Sequence, residues 1–179
     1  MAAATQDARD GGTVMTTIER VDRSRPVPTA EPTTRVATVV APAVFVAVRG
    51  WGGRLLLVQR CDSGLWEMPG RRVVVGETAV EAAVRGTAER AGLPVLVTGV
   101  VGLFTDPRVL VRDAGGEVCQ QFAVLFRARS LGGVPHGDGR VTSQAAWVPL
   151  ADLPGLVVDA YERRWIVEAL AGEDAPYLG

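Results

Sequence analysis

An α/β architecture, with helices on both faces of a mixed β-sheet, is the fold class this chain predicts. Three observations carry that expectation. Valine-rich runs of strand length recur between Val36 and Leu150, one strongly capped helix interrupts them at Thr78, and a second amphipathic helix follows the last of them. Strands of unequal length with two interspersed helices pack as an α/β/α sandwich. The 179 residues, 47% of them hydrophobic, are ample for one core and short for two domains. The expected organisation is an N-terminal arm over residues 1–34, one domain over 35–172 and a tail over 173–179.

The arm is polar and contains Pro26, Pro28 and Pro32, so it is expected to be flexible, and no element is assigned to it. From Val36 a long apolar run forms a strand, Gly50-Trp51-Gly52-Gly53 turns it, and Arg54 to Arg60 returns as a hairpin. Trp66 and the Pro69-Gly70 turn lead into a short strand over Val73, Val74 and Val75, then a tight Gly76-Glu77 loop. Leu96 to Phe104 is a further strand. Val109 to Arg112 and Val118 to Ala128 flank Asp113-Ala114-Gly115-Gly116 as a second hairpin, and Trp147 to Leu150 is a last short strand. The closing helix runs from about Ala160 to Leu170, with Trp165, Ile166 and Leu170 available to pack. Phe104 and Phe122 are expected in the core, and Trp66 beneath the loop that follows it.

The segment from Gly70 to Leu93 is the most informative. Thr78 and Glu81 have the spacing of a capping box, so a helix should begin there and stop at Gly92. At about 100° per residue, Val80, Ala83, Val84, Thr87 and Ala91 form an apolar stripe expected to face the core. Ala82, Gly86, Glu89, Arg90 and Leu93 fall on another side. Glu81, Arg85 and Glu89 make an i, i+4 ladder in which Glu81 is expected to pair with Arg85 on a solvated face. Gly86 costs this helix about 1 kcal/mol relative to alanine, and nothing in the sequence shows what offsets it.

This order of turn, strand, loop and helix resembles the Nudix hydrolase family, whose signature reads G-x5-E-x7-R-E-U-x-E-E-x-G-U with U aliphatic. Glu77, Arg85, Glu89, Gly92 and Leu93 match it. Arg71 stands at the signature's first Gly, Gly86 at the Glu after the Arg, Thr87 at the aliphatic position and Arg90 at the second Glu of the pair. The flanks resemble the family as well. Leu55 to Arg60 followed by Leu65-Trp66-Glu67-Met68-Pro69-Gly70 is similar to the strand and Trp-x-hydrophobic-Pro-Gly entry. Thr105-Asp106-Pro107-Arg108 and Gln121 to Ala128 resemble the branch acting on ADP-ribose and other nucleoside diphosphates. The resemblance spans about Val36 to Leu170.

The resemblance implies a Nudix-type sandwich and hydrolysis of a nucleoside diphosphate linked to another group, by water attack at phosphorus with Mg²⁺. Cleaving a diphosphate concentrates negative charge that Mg²⁺ neutralises, and Mg²⁺ prefers oxygen ligands. The family supplies three Glu at i, i+3 and i+4 of one helix; here those positions are Gly86, Glu89 and Arg90. By this reading Glu89 is the surviving metal ligand, Glu77 a second ligand or hydrogen-bond partner, and Arg85 the residue orienting both carboxylates. The segment matching a later acidic loop of the family, Gly139 to Gln144, holds no carboxylate. Glu67, Glu81 and Asp106 are the other nearby acids. Arg71, Arg72 and Arg90, with Arg60 at the preceding strand end, are candidate phosphate-binding residues, because guanidinium groups grip phosphate oxygens bidentately. Two functions stay open: an impaired hydrolase, and a non-catalytic module that binds a nucleotide or acts as a scaffold. Homodimers are frequent in the family, so a homodimer is one expectation.

Composition narrows the alternatives. The formal charge is −1 and the pI near 5.9, which gives no basic footprint for nucleic acid. All 19 basic residues are Arg and none is Lys, which excludes Schiff-base and P-loop lysine chemistry. Cys61 and Cys119 are too few for a disulfide framework or zinc site. His136, the single histidine, lies in a Gly/Pro loop without a triad motif. The glycine clusters sit in hairpin turns and not between strand and helix, so no dinucleotide fingerprint is present. The N-terminus lacks a secretory h-region, and the longest apolar run is too short to cross a bilayer, so no membrane role and a cytoplasmic location are expected.

Overall fold

The computed structural model describes residues 19–20, 37–112, 115–172 and 175–179. The expected arm lies outside the described residues apart from strand β1 (Glu19–Arg20), as do Asp113 and Ala114 of the second hairpin. The remaining strands and α-helices are β2 (Val39–Arg49), β3 (Leu55–Arg60), β4 (Trp66–Glu67), β5 (Gly70–Arg72), α1 (Ala79–Ala91), β6 (Val95–Phe104), β7 (Leu110–Arg112), β8 (Val118–Ser130), β9 (Thr142–Val148), α2 (Ala160–Ala171) and β10 (Tyr177–Leu178).

The sheet is mixed, as the sequence predicts. Its spine is the parallel pair β2 and β8, in register from Val39 beside Cys119 to Arg49 beside Arg129. The second edge of β8 is shared by β6 and β7, both antiparallel to it. The second edge of β2 is likewise divided: Arg49 meets Leu55 of β3, while Ala43 to Phe45 meet β5. Strand β3 then diverges and pairs with β9 and β4. Glu19–Arg20 extends β7 antiparallel, and Tyr177–Leu178 lies parallel to β6.

Strand β2 is buried on both faces, hence its continuous apolar run. Val44, Val46 and Val48 point to a cluster beneath α1, with Leu56, Val58, Ala82, Ala83 and Leu93. Ala43, Phe45 and Ala47 point to the opposite cluster beneath α2, with Leu125, Trp165 and Ile166. The Trp165 ring meets Phe45 edge-on at 4.9 Å between centroids and Phe104 at 5.3 Å. Helices on opposite faces of one sheet make the α/β/α sandwich.

Several local expectations are corrected. The short strand after the Pro-Gly turn is Gly70–Arg72, where β2 offers hydrogen-bond partners; Val73 to Val75 lie beyond the strand, and Val74 and Val75 are exposed. The last strand begins earlier, at Thr142, because β3 pairs along its full length. Phe122 is only half-buried, since β8 alternates and Cys119, Gln121, Ala123 and Leu125 occupy the covered face.

One buried acid was missed. Glu162 shares the buried face of α2 with Trp165, Ile166 and Ala169, and its Oε1 accepts from the Met68 backbone N–H at 2.7 Å. It therefore fixes the chain just before Pro69-Gly70 and sets where β5 begins. Replacing it by an apolar residue leaves a buried N–H without this acceptor. Glu162→Leu is expected to lower the unfolding free energy by about 1–3 kcal/mol, read from a urea titration, with no change in the far-ultraviolet spectrum.

Candidate functional site

Helix α1 begins and ends as the sequence predicts. The Thr78 N–H donates to Glu81 Oε2 at 2.8 Å and the Glu81 N–H donates to Thr78 Oγ1 at 3.2 Å, a reciprocal cap. Gly92 closes the helix at φ 66°, a conformation glycine adopts without strain, and a Cβ there would also collide with the His136 ring. Glu81 Oε2 accepts from both the N–H and the hydroxyl of Thr78, and Arg85 pairs with Glu77 and Glu89 instead of with Glu81.

The helix is rotated from its predicted orientation. Its buried residues are Ala82, Ala83, Gly86, Thr87, Arg90 and Ala91, whereas Val80 and Val84 are exposed. The small side chains decide this, because they let the helix lie close against β5. A Cβ on Gly86 would stand only 2.8 Å from Arg71 Cβ. This contact supplies the reason, absent from the sequence, for a glycine in the middle of the helix.

Three of the residues that match the signature, Glu77, Arg85 and Glu89, meet in one cluster. Arg85 grips Glu77 bidentately, Nη2 to Oε1 at 2.6 Å and Nε to Oε2 at 2.9 Å, and reaches Glu89 Oε2 at 3.4 Å. Glu77 Oε1 also accepts from the Val74 N–H at 2.8 Å. The Arg85 guanidinium holds the Glu77 carboxyl below its ordinary pKa, while Glu77 raises that of Arg85. Glu89 has a second cation: Arg71 Nη1 lies 2.7 Å from its Oε2. Each of the two candidate metal ligands is thus already occupied by guanidinium.

A cleft opens beside this cluster, lined by Arg60, Arg71, Arg90 and Glu67 over Phe45 and Gly70. Arg60 pairs with Asp62 and lies 3.8 Å from Glu67. Arg90 is buried, with 7% of its surface exposed. Burial first, and the adjacent Arg71 second, pull its pKa below the ordinary arginine value, yet an arginine remains charged at any physiological pH. Arg72 does not join the other three. Strand alternation turns it to the opposite face, where its Nη2 lies 3.8 Å from Cys119 Sγ.

Asp138, one residue before the Gly139–Gln144 segment, is a site residue that sequence reasoning missed. Its Oδ2 accepts from Arg90 Nη1 at 3.0 Å, while Oδ1 takes the N–H groups of Arg140, Val141 and Thr142 at 2.8, 2.7 and 2.9 Å. Burial works to raise the Asp138 pKa, but those hydrogen bonds and Arg90 outweigh it and hold it at about 2. An Asp two to four residues before available N–H groups is a recognisable turn signal; its long-range partner, 48 residues away, is not. The remaining nearby acids are committed elsewhere: Asp106 binds Arg108 side-chain and backbone N–H groups, and Glu81 caps the helix.

The arrangement does not fit a divalent cation. Such a site needs several carboxylate oxygens facing one point, whereas Glu77 and Glu89 face Arg85 and Arg71, and Arg90 fills a third ligand position with positive charge. Among the described residues no group of three or more His, Cys, Asp or Glu is placed to hold a metal. What the cleft does offer is three guanidinium groups suited to phosphate oxygens.

Comparison with known proteins agrees with the fold. Residues 39–168 match the NUDIX domain family, and the chain belongs to that family. A Bacillus subtilis (strain 168) protein with the provisional name 8-oxo-dGTP diphosphatase is 33% identical over 120 residues, covering 67% of this chain and 74% of that one. An ADP-ribose pyrophosphatase of Methanocaldococcus jannaschii is 32% identical over 110 residues, 59% of this chain and 60% of its own. Among solved structures, a NUDIX hydrolase from Nitrosomonas europaea superposes with a TM-score of 0.65 at 20% identity, covering 79% of this chain and 78% of that chain. Hydrolases of this family generally use divalent metals such as Mg²⁺. No helix of the described residues is long and apolar enough to cross a membrane.

A carboxyl whose folded pKa is depressed stabilises the fold above its unfolded pKa, and that contribution is lost as pH falls through the folded value. For Asp138 the window runs from about pH 4, the unfolded value, down to about pH 2. Asp138→Asn keeps an oxygen for the loop N–H groups but removes the charge facing Arg90. It is expected to cost about 1–3 kcal/mol at neutral pH and to flatten the stability profile over that acid window, read from thermal melts across pH.

Proposed function

We propose that this chain binds a nucleoside diphosphate linked to a second group, of the ADP-ribose kind, in the cleft of Arg60, Arg71 and Arg90, and that its metal-dependent hydrolysis is impaired. The observation that carries this reading is the 2.7 Å contact of Arg71 with Glu89. Glu89 is the one carboxylate remaining of the helix triad, and its charge is met by a fixed cation. Relatives named for ADP-ribose and for 8-oxo-dGTP support a nucleotide ligand.

In this reading Arg71 and Arg90 bind diphosphate oxygens directly, and Arg60 closes the far side of the cleft. Entry of an anion relieves the repulsion between the neighbouring Arg71 and Arg90 groups and strengthens with exclusion of water. Arg85 keeps Glu77 and Glu89 oriented at the rim, where Glu89 and Glu77 are the groups left for any residual hydrolysis. The second reading, a non-catalytic nucleotide-binding module, is favoured by the Arg90–Asp138 pair, which fixes a cation at a ligand position through its own acid.

Calorimetric titration of ADP-ribose, dinucleotides and nucleoside triphosphates, with Mg²⁺ and with EDTA, tests the proposal alongside phosphate-release assays on the same panel. ADP-ribose affinity is expected to survive chelation, and Arg90→Ala is expected to weaken it by about 1.5–3 kcal/mol, the usual contribution of a charged hydrogen bond. Affinity that disappears in EDTA, or rapid Mg²⁺-driven turnover by the unaltered protein, would contradict it.

A further inference from the structure

Between β5 and α1 there is room for the root of one side chain and not two. A Cβ at position 86 would meet Arg71 Cβ at 2.8 Å and the Arg71 backbone nitrogen at 3.6 Å. The first distance is below any real carbon contact, and the colliding atom is a Cβ, which cannot swing aside as a side-chain tip can. The Nudix signature places a glycine at the strand position and a glutamate at the helix position. This chain has the reverse in size, Arg71 on the strand and Gly86 on the helix. Two departures that look independent in sequence are the two sides of one contact.

We propose that Arg71 is the specificity-determining residue of this cleft: a built-in cation, admitted because Gly86 has no side chain, which commits the site to direct guanidinium recognition of a diphosphate in place of recognition through a divalent ion. The commitment follows from geometry. Space used by the Arg71 stem is unavailable to a helix carboxylate, and the guanidinium at its end closes on Glu89. Arg90, held by Asp138, adds the second positive group. The proposal rests on the diphosphate reading above for its ligand, but the coupling of positions 71 and 86 stands apart from it.

A double-mutant cycle in the full chain tests the coupling. Gly86→Ala is expected to lower the melting temperature of the parent, because the new methyl strikes Arg71. In the Arg71→Gly background the same change is expected to raise it, because the space is open and alanine is the better helix former. Equal shifts in both backgrounds would overturn the steric claim. Two further variants test the choice of cation by thermal shift with Mn²⁺. Gly86→Glu alone is expected to be destabilised and unresponsive, whereas Arg71→Gly, Gly86→Glu and Arg90→Glu together are expected to gain Mn²⁺ stabilisation. A folded triple variant that ignores Mn²⁺, or a single Gly86→Glu variant as stable as the parent and responsive to the ion, would overturn the specificity claim. Arg71→Gly is also expected to lose about tenfold or more of the ADP-ribose affinity measured in EDTA, corresponding to at least one charged hydrogen bond. Should the parent bind no ADP-ribose at all, the functional reading falls while the cycle still decides the coupling.

Discussion

Strand β5 and helix α1 press together at Arg71 and Gly86, and the character of the site follows from that closeness. Small residues along the helix, Ala82, Ala83 and Gly86, bring its axis down onto the sheet. The arginine opposite extends along the cleft to Glu89, its Nη1 2.7 Å from Oε2. Had the helix carried a bulkier residue at 86, the strand could not have held a side chain of this size at 71. Packing, the first requirement of the fold, thereby selects which charge stands next to the signature carboxylates.

Electrostatics completes the arrangement. Glu77 stands in the loop and Glu89 on the helix, with Arg85 paired to both. Their charge, however, is balanced within the protein. Arg85 balances Glu77 with two short hydrogen bonds, Arg71 balances Glu89, and Arg90 is balanced by Asp138 from a different loop. A divalent ion entering here would have to displace guanidinium groups already in contact, and would meet Arg90 where a third carboxylate is needed. In the proposed reading a phosphate anion would use guanidinium N–H groups beyond those that face Glu89 and Asp138.

Much of this was legible in the chain. The helix bounds followed from Thr78, Glu81 and Gly92 because caps are local chemistry, and the sheet followed from apolar runs flanked by turn residues. The convergence of Glu77, Arg85 and Glu89 was implied by the resemblance to the Nudix signature, whereas helical spacing alone paired Arg85 with Glu81 and Glu89. The rotation of α1 was not legible, because Val80 and Val84 are apolar enough to mimic a buried face. Only the close approach of Arg71 shows that the small residues are the ones turned inward. Arg72 was grouped with Arg71 by adjacency, although neighbours on a strand face opposite ways. Asp138 and Glu162 act through partners 48 and 94 residues away, distances over which a single sequence carries no pairing information. Glu162 nevertheless sat in plain helical register with Trp165, Ile166 and Ala169.

The two signature carboxylates, Glu77 and Glu89, are neutralised from within the protein. Electron paramagnetic resonance of Mn²⁺ added to the unaltered, ligand-free chain addresses it most directly, since the free-ion signal falls only when the ion is held. Internal neutralisation predicts a signal that grows with added ion as it does in buffer alone, before and after Glu89→Gln. A signal suppressed at one ion per chain in the unaltered protein and restored by Glu89→Gln would contradict it.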